Sequence, residues 1–162
     1  ARGGEIAARL GVDYRHLRIF SVYGPGDHET SLVASAVRAA RTGTAATFGP
    51  CAQQWNFLAL ADAVRALRLL GEAEAPCADG NPVFNVGSLD TRALQRFVEE
   101  IFETAGKPAA LASFLPRETG PEGTPYLAPD IEKLLRSIDW TPEISFRAGV
   151  RDLLSGTANG EN

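Results

Sequence analysis

The feature that most constrains the fold is a strand-like apolar run that ends in a glycine and proline turn. Residues 16–27 read HLRIFSVYGPGD. The β-branched and aromatic residues of the first part predict a buried strand, and the Gly-Pro-Gly-Asp part predicts a turn. A segment with helical spacing follows, so the order is strand, turn, helix. Such a turn lies at the carboxyl edge of a sheet, where α/β proteins bind ligands, although an ordinary tight turn that binds nothing explains Pro25 and Gly26 equally well.

The rest of the chain alternates between strand-like and helix-like segments, which predicts an α/β fold. Thr30 or Ser31 is predicted to cap a helix that runs to Arg41, and Asp90 or Thr91 to cap a long helix that runs to Thr104. The other expected elements are one strand over 16–23, a short strand pair at 45–48 and 55–60, a brief strand at 83–86 and a last helix at about 145–154.

Composition limits the classes of function. The 162 residues are 44% hydrophobic, enough for one compact domain, and the net charge of -4 gives little support for nucleic-acid binding. No apolar run approaches the length of a membrane span, so no membrane partner and a cytoplasmic location are expected. Cys51 and Cys77 form no CxxC motif, and the only histidines are His16 and His28, so no metal site is expected.

The turn after the strand fails two tests for a phosphate-binding loop. No lysine follows Gly24 and Gly26 as the Walker pattern requires, and Glu29 stands where a dinucleotide fingerprint has its third glycine. The turn by itself therefore identifies no phosphate loop.

Four blocks of sequence together resemble one family: LRIFSVYGPGDHETSLV, FGPCAQQWNFLALADAVRAL, VFNVGSLDTRALQRFVEEI and PDIEKLLRSIDWTPEISFRAGVRDLL. In this order they resemble the C-terminal, substrate-binding half of an extended short-chain dehydrogenase/reductase, of the NAD-dependent epimerase/dehydratase type that acts on nucleotide sugars. The resemblance implies an incomplete Rossmann fold, with the last strands of the Rossmann sheet and a small helical substrate-binding domain. It implies a partial family domain over residues 1–154. The residues after it, 155–162, are expected to form a disordered tail.

The resemblance assigns roles to five residues near the turn. Ser21 corresponds to a position that presents a polar group to the nucleotide sugar, and Val22 to one that flanks the nicotinamide ring. Ser31 and Leu32 correspond to positions near the diphosphate, whose charge suits a helix N-terminus. Phe48 matches a residue that lines the base pocket. Simple core packing is the alternative for Val22, Leu32 and Phe48.

Two positions concern the grip on the diphosphate. Many relatives have an arginine where this chain has Trp55, and a tryptophan cannot neutralise phosphate. Arg117 aligns with a second arginine that clamps the diphosphate in relatives, and its planar fork of donors suits that task. The alternative for Arg117 is a surface arginine in a loop rich in proline and glycine.

The catalytic motifs of the family are not found in these 162 residues. There is no GxxGxxG unit, and the fourth residue after each tyrosine is arginine or aspartate rather than the lysine of a Tyr-xxx-Lys pair. The family lysine would fall at about Ala1, so we expect no catalytic residue here, and NAD or NADP is expected for the family but not as a ligand of this chain alone. One interpretation is a substrate-binding half that is active only with an N-terminal Rossmann half. That half or a second copy of this chain, in a homodimer, would cover the exposed strand. The other interpretations are a non-catalytic nucleotide-sugar-binding or assembly module and a truncated remnant.

Overall fold

A computed structural model describes residues 2–74, 81–116 and 126–156 of the chain. The helices in chain order are α1 (Arg2–Leu10), α2 (Leu32–Thr42), α3 (Leu60–Glu72), α4 (Leu94–Thr104), α5 (Glu132–Ser137) and α6 (Phe146–Ser155), with a short 3-10 turn at Ala109–Leu111. The strands are β1 (His16–Ile19), β2 (Ser21–Tyr23), β3 (Ala46–Phe48), β4 (Gln54–Ala59), β5 (Val83–Val86), β6 (Thr91–Ala93) and β7 (Ala112–Phe114).

The strands form three small sheets in which parallel pairing dominates. β1 pairs with β5, with His16 opposite Val83, and β3 pairs with β7, both in parallel. β4 lies between β2, which is parallel to it, and β6, which is antiparallel. Parallel pairs joined through helices are the mark of an α/β protein, so the predicted fold class is confirmed.

The single strand predicted over 16–23 is wrong, because the segment divides between two sheets. β1 ends at Ile19 and pairs with β5, whereas β2 begins at Ser21 and pairs with β4. Phe20 lies at the division, and its backbone N–H still donates to the carbonyl of Val86, at 3.0 Å. The run is continuous in the sequence, but its two halves have different neighbours.

The expected pairing of 45–48 with 55–60 is also wrong. β3 pairs with β7 and not with β4, so the loop between them joins two different sheets. The cap predicted for α4 is wrong as well, because residues 91–93 form β6 and the helix begins at Leu94. Local spacing cannot show a three-residue strand that exists only through its partner.

The helix after the opening turn forms as predicted. Ser31 is the N-cap of α2, and its hydroxyl accepts a hydrogen bond from the backbone N–H of Ala34 at 3.1 Å. Gly43 ends the helix with a φ of 67°, a left-handed conformation that glycine adopts without steric cost. The residues at its two ends therefore determine where α2 begins and ends. They also determine which of its residues face the core and which face solvent.

Two apolar clusters form the core. The larger joins α2, α4 and α6 to β2, β3 and β4, and the smaller surrounds β5, α3 and α5 and includes Trp140. The first depends on a close approach at Gly149 of α6, where an added Cβ would lie 2.2 Å from the hydroxyl oxygen of Tyr23. A side chain at position 149 would thus push α6 away from β2.

The remaining two expectations concern the C-terminal tail and the absence of a membrane span. Ser155 is the last residue of α6 and Gly156 follows it, while the rest of the predicted tail lies outside the described residues. Among the helices described, none has the length and apolar character needed to cross a membrane.

Candidate functional site

The structure brings Leu32 and Phe48 together, although 15 residues separate them in sequence. Both line an open cleft of about 700 Å³ between α2 and β3. Leu32 is half-buried at the start of α2 and packs on the larger cluster, of which Phe48 is a buried member. The two side chains therefore give the cleft an apolar floor that a flat ring could contact.

The walls of this cleft are polar. Besides alanine and glycine they present one guanidinium, that of Arg38, and five hydroxyls, from Thr30, Ser35, Thr42, Thr44 and Thr47. Within the described ranges of the chain, no carboxylate lines the cleft. A ligand with a flat apolar ring, several hydrogen-bonding oxygens and a negative charge would match this set of groups.

Ser31 lies at one end of the cleft, where the polypeptide enters α2. Its hydroxyl donates to a carboxylate oxygen of Asp27, at 2.7 Å, while accepting from Ala34. The other oxygen of Asp27 accepts from the backbone N–H of His28 at 2.7 Å. A carboxylate thus already sits beside this helix N-terminus, so the terminus alone offers less attraction to a diphosphate than expected.

Ser21 and Val22 lie on β2, outside the lining of the cleft. The half-buried hydroxyl of Ser21 has no hydrogen-bond partner within the described part of the chain and keeps its capacity for a ligand. Val22 is half-buried and packs against the smaller apolar cluster. Among the residues that the structure describes, Ser21 and Val22 therefore do not line the cleft that contains Leu32 and Phe48.

Trp55 lies on β4 directly opposite Arg92 of β6, with its ring 6.4 Å from that of Phe57. It packs on the larger cluster, as Leu32 does, but it does not line the cleft. The neighbouring cation of Arg92 is occupied, because it pairs with the carboxylates of Asp90 and Glu100. The prediction for Arg117 lies outside the described residues.

Asn56 is a fully buried polar residue next to Trp55. Its side-chain amide donates to the carbonyls of Ser88 and Asp90, at 2.9 and 3.1 Å, and to the hydroxyl of Thr91. Its carbonyl oxygen accepts from the backbone N–H of Ser88, at 2.8 Å. Asn56 thereby fixes the loop between β5 and β6 to the strand that carries Trp55.

Asp62, in the first turn of α3, is another buried polar residue. One carboxylate oxygen accepts from the backbone N–H groups of Glu143 and Ile144, at 3.0 and 2.9 Å, and the other accepts from Arg65 at 2.7 Å. The contacts attach α3 to the segment that leads into α6. Both buried residues have structural contacts and lie outside the lining of the cleft. The described residues contain no group of histidine, cysteine and acidic side chains that could hold a metal ion.

Tyr23, at the end of β2, is buried and unsuited to proton transfer. Burial raises the pKa of its hydroxyl well above the ordinary range, and the nearby carboxylate of Asp62 adds to the effect. Its hydroxyl donates weakly to the carbonyl of Phe146, at 3.4 Å. A tyrosine in this state stays protonated and does not serve as a base near neutral pH.

The described residues do not fit a nicotinamide dinucleotide by themselves. A dinucleotide pyrophosphate needs a glycine-rich turn at a helix N-terminus with free N–H groups. In the described chain, α2 begins beside Asp27, and α3 begins without a capping side chain and with Asp62 in its first turn. Val22, an apolar residue of β2, can contribute one wall of a nicotinamide site but none of its polar contacts.

Sequence reasoning missed Arg38 and the hydroxyl wall, although the sequence contains a usable signal. Ser31, Ser35, Arg38 and Thr42 recur at intervals of four, three and four residues, which places them along one stripe of α2. The stripe lies between the buried face of the helix and solvent. A polar stripe beside an apolar residue such as Leu32 is the pattern that could have indicated a cleft.

Comparisons with known proteins agree with this fold. A model of the NAD dependent epimerase/dehydratase family matches residues 5–87. The dTDP-6-deoxy-L-talose 4-dehydrogenase (NAD(P)(+)) of Kitasatospora kifunensis is 30% identical over 145 residues, which cover 85% of this chain and 44% of that protein. The chain therefore spans less than half the length of this curated relative.

Solved structures show the same fold over almost all of the chain. The UDP-N-acetylglucosamine 4-epimerase from Bacillus cereus has a TM-score of 0.79 at 18% identity, covering 99% of this chain and 52% of that one. RMD from Pseudomonas aeruginosa, complexed with NADPH, has a TM-score of 0.75 at 25% identity, covering 93% and 50%. The family model covers the opening strand, the turn and the helix of the cleft, and the chain belongs to the NAD-dependent epimerase/dehydratase family.

Proposed function

We propose that these residues form the nucleotide-sugar-binding half of a NAD-dependent epimerase/dehydratase enzyme, and that the reaction they serve is reversible hydride transfer at a sugar carbon. The base would lie on Phe48, with the diphosphate towards Ser31, Leu32 and Arg117 and the sugar towards Ser21. Trp55 would border the diphosphate without neutralising it. The family relationship supports the class of substrate, and the relatives named above carry nucleotide sugars or NAD(P) in their descriptions.

The observation that supports this proposal most directly is the cleft between α2 and β3. It places two predicted binding residues, Leu32 and Phe48, on one apolar floor beneath a wall of hydroxyls and one guanidinium. The apolar floor suits the face of a base, and the wall suits a ribose and phosphates. A purely structural role for these residues would not require an open cleft with this lining.

Hydride and proton transfer would depend on residues outside these 162. The sequence contains no Tyr-xxx-Lys pair, and the buried Tyr23 keeps its proton. The Rossmann half that holds NAD or NADP, on the same polypeptide or on a separate chain, would supply the general base for proton transfer. These residues alone would then bind a nucleotide sugar without converting it.

The edge of β1 is the proposed place for that Rossmann half. β1 pairs with β5 on one side, and three of its four residues are exposed, including Ile19 at 47%. A parallel strand needs a neighbour to satisfy its backbone groups and to cover its faces. An added parallel strand beside β1 would extend the sheet in the direction away from β5.

The test combines binding and turnover on the purified 162-residue chain. Isothermal calorimetry with UDP-, dTDP-, GDP- and CDP-sugars is expected to show binding of at least one class, and an assay with the same sugars and NAD or NADP is expected to show no turnover. Robust turnover would disprove the assignment of catalysis to another region. Binding of none of the sugars would disprove the proposed pocket.

A matched pair of variants connects the binding to the cleft. Ser35→Trp places a large ring at a half-buried position that lines the cleft, and we expect it to weaken binding by at least about tenfold. Val64→Trp places the same ring on α3, at a position that is 57% exposed and outside the cleft, and should leave binding unchanged. Equal losses in the two variants would show that the ligand binds elsewhere.

A further inference from the structure

We propose that Arg38 of α2 binds a phosphate group of the nucleotide in the cleft. The inference rests on the proposed function, since it assigns one residue of the same site, but it concerns a residue that no sequence motif singles out. Among the predicted binding residues in the described part of the chain, Ser21, Ser31, Leu32, Phe48 and Trp55, none carries a positive charge. A diphosphate bound there would need a cation, and Arg38 is the cation that lines the cleft among the residues described.

The position of the guanidinium is set by a backbone contact. Its Nη1 donates to the carbonyl of Glu29, at 3.2 Å, and the hydroxyl of Ser35 donates to the same carbonyl at 3.3 Å. The two side chains converge on the residue that lies two positions before the N-cap Ser31. The cation is therefore held at the Ser31 end of the cleft, beside Thr30 and Leu32.

The remaining donors of Arg38 are available to a ligand. A guanidinium has five N–H groups, and the contact with Glu29 uses one of them. No carboxylate forms an ion pair with Arg38 among the residues described, in contrast to Arg65 and Arg92. Arg38 is exposed, so its charge is already hydrated and can exchange water for a phosphate at small cost.

The negative charge of Asp27 makes the positive charge of Arg38 more important for binding an anion, because a carboxylate repels a phosphate. Its carboxylate lies beside Ser31 at the N-terminus of α2 and lines the groove on the far side of that helix. Arg41, one turn after Arg38, lines the same far groove and not the cleft. Arg38 lines both, so of the two arginines on α2 it is the one that reaches the cleft.

The experiment compares Arg38→Gln with Arg41→Gln by calorimetry. The probes are the diphosphate of the best-binding nucleotide class, its nucleoside without phosphate, and inorganic pyrophosphate, each at low and moderate salt. We expect Arg38→Gln to weaken nucleoside diphosphate and pyrophosphate binding about tenfold and nucleoside binding less than twofold. The loss should shrink as salt is added, because exposed charges are screened. Arg41→Gln should change none of these values by more than twofold.

Each other outcome contradicts the inference in a recognisable way. No loss in Arg38→Gln, or an equal loss for nucleoside and nucleotide, would overturn it, the latter by indicating contact with the base. Equal losses in both variants would show a general charge effect. If the wild-type chain binds no nucleotide sugar, the proposed function fails, and the inference then stands or falls on whether pyrophosphate binds and depends on Arg38. Thermal unfolding of both variants checks that these exposed positions leave the fold intact.

Discussion

Two sets of polar side chains in this molecule differ in where their hydrogen-bond partners lie. Asn56 and Asp62, here called the anchors, are buried and bond to backbone groups between 32 and 82 residues away. The hydroxyls of the cleft are exposed or half-buried, and most of their partners lie within six residues, as for Ser35 with Glu29. The anchors hold distant segments together, whereas the cleft hydroxyls keep capacity for a ligand.

The largest effect is expected at Asp62. Asp62→Ala would remove a buried carboxylate and leave two partly buried backbone N–H groups and the partly buried Arg65 without their acceptor, and we expect the free energy of unfolding to fall by about 3–5 kcal/mol. Urea denaturation measures this loss. Asp62→Asn keeps one acceptor oxygen and should lose less. A loss under about 1 kcal/mol in the alanine variant would show that the contact does not hold the segment before α6.

Asn56 should follow with a loss of about 2–3 kcal/mol on replacement by alanine, because the N–H of Ser88 and the carbonyls of Ser88 and Asp90 lose their partner. Asn56→Asp is the informative control. It keeps the shape and the acceptor but places a carboxylate against two carbonyl oxygens, so it should destabilise at least as much as alanine. If Asn56→Asp is neutral in urea denaturation, the donated bonds are not what stabilises this loop.

The same difference between near and distant partners decides which parts of the fold could be predicted from the sequence. The helix α2 and its N-cap were predicted because Ser31 acts on its own neighbours in the chain. The division of 16–23 between two sheets, and the pairing of β3 with β7, were not predicted, because they depend on residues more than 30 positions away. The spacing of residues within one segment does not indicate which distant segment will pair with it.

The candidate site divides in a similar way. The resemblance identified Leu32 and Phe48, which the structure places in one cleft. Arg38 was missed because a charged residue on an exposed helix face is ordinary in sequence and becomes distinctive only beside the apolar floor. Asn56 lies in one of the four blocks that carry the resemblance, but its hydrogen bonds to the loop at 88–91 depend on residues more than 30 positions away and could not be predicted from local spacing.

Tyr23 gives a test of burial that depends on pH. The folded state raises the pKa of its hydroxyl, so the unfolded chain loses this proton first as the pH rises. Stability is complete below the unfolded value of about 10 and should fall above it by up to about 1.4 kcal/mol per pH unit. Urea denaturation between pH 9 and 11 measures the slope. Tyr23→Phe should flatten it, whereas Tyr126→Phe, at a position that is 73% exposed, should not.

The smallest effect on stability is expected at Thr47, on the cleft side of the comparison. Its hydroxyl lies 2.9 Å from that of Ser113 on the paired strand β7, but the residue is exposed, so water can replace the bond. Thr47→Val should therefore change the free energy of unfolding by less than about 0.5 kcal/mol, while weakening nucleotide-sugar binding about threefold. Calorimetry and urea denaturation on the same sample separate the two quantities. A stability loss as large as that of Asn56→Ala would mean that the cleft hydroxyls stabilise the fold as the anchors do. The distinction between the anchors and the cleft hydroxyls would then be wrong.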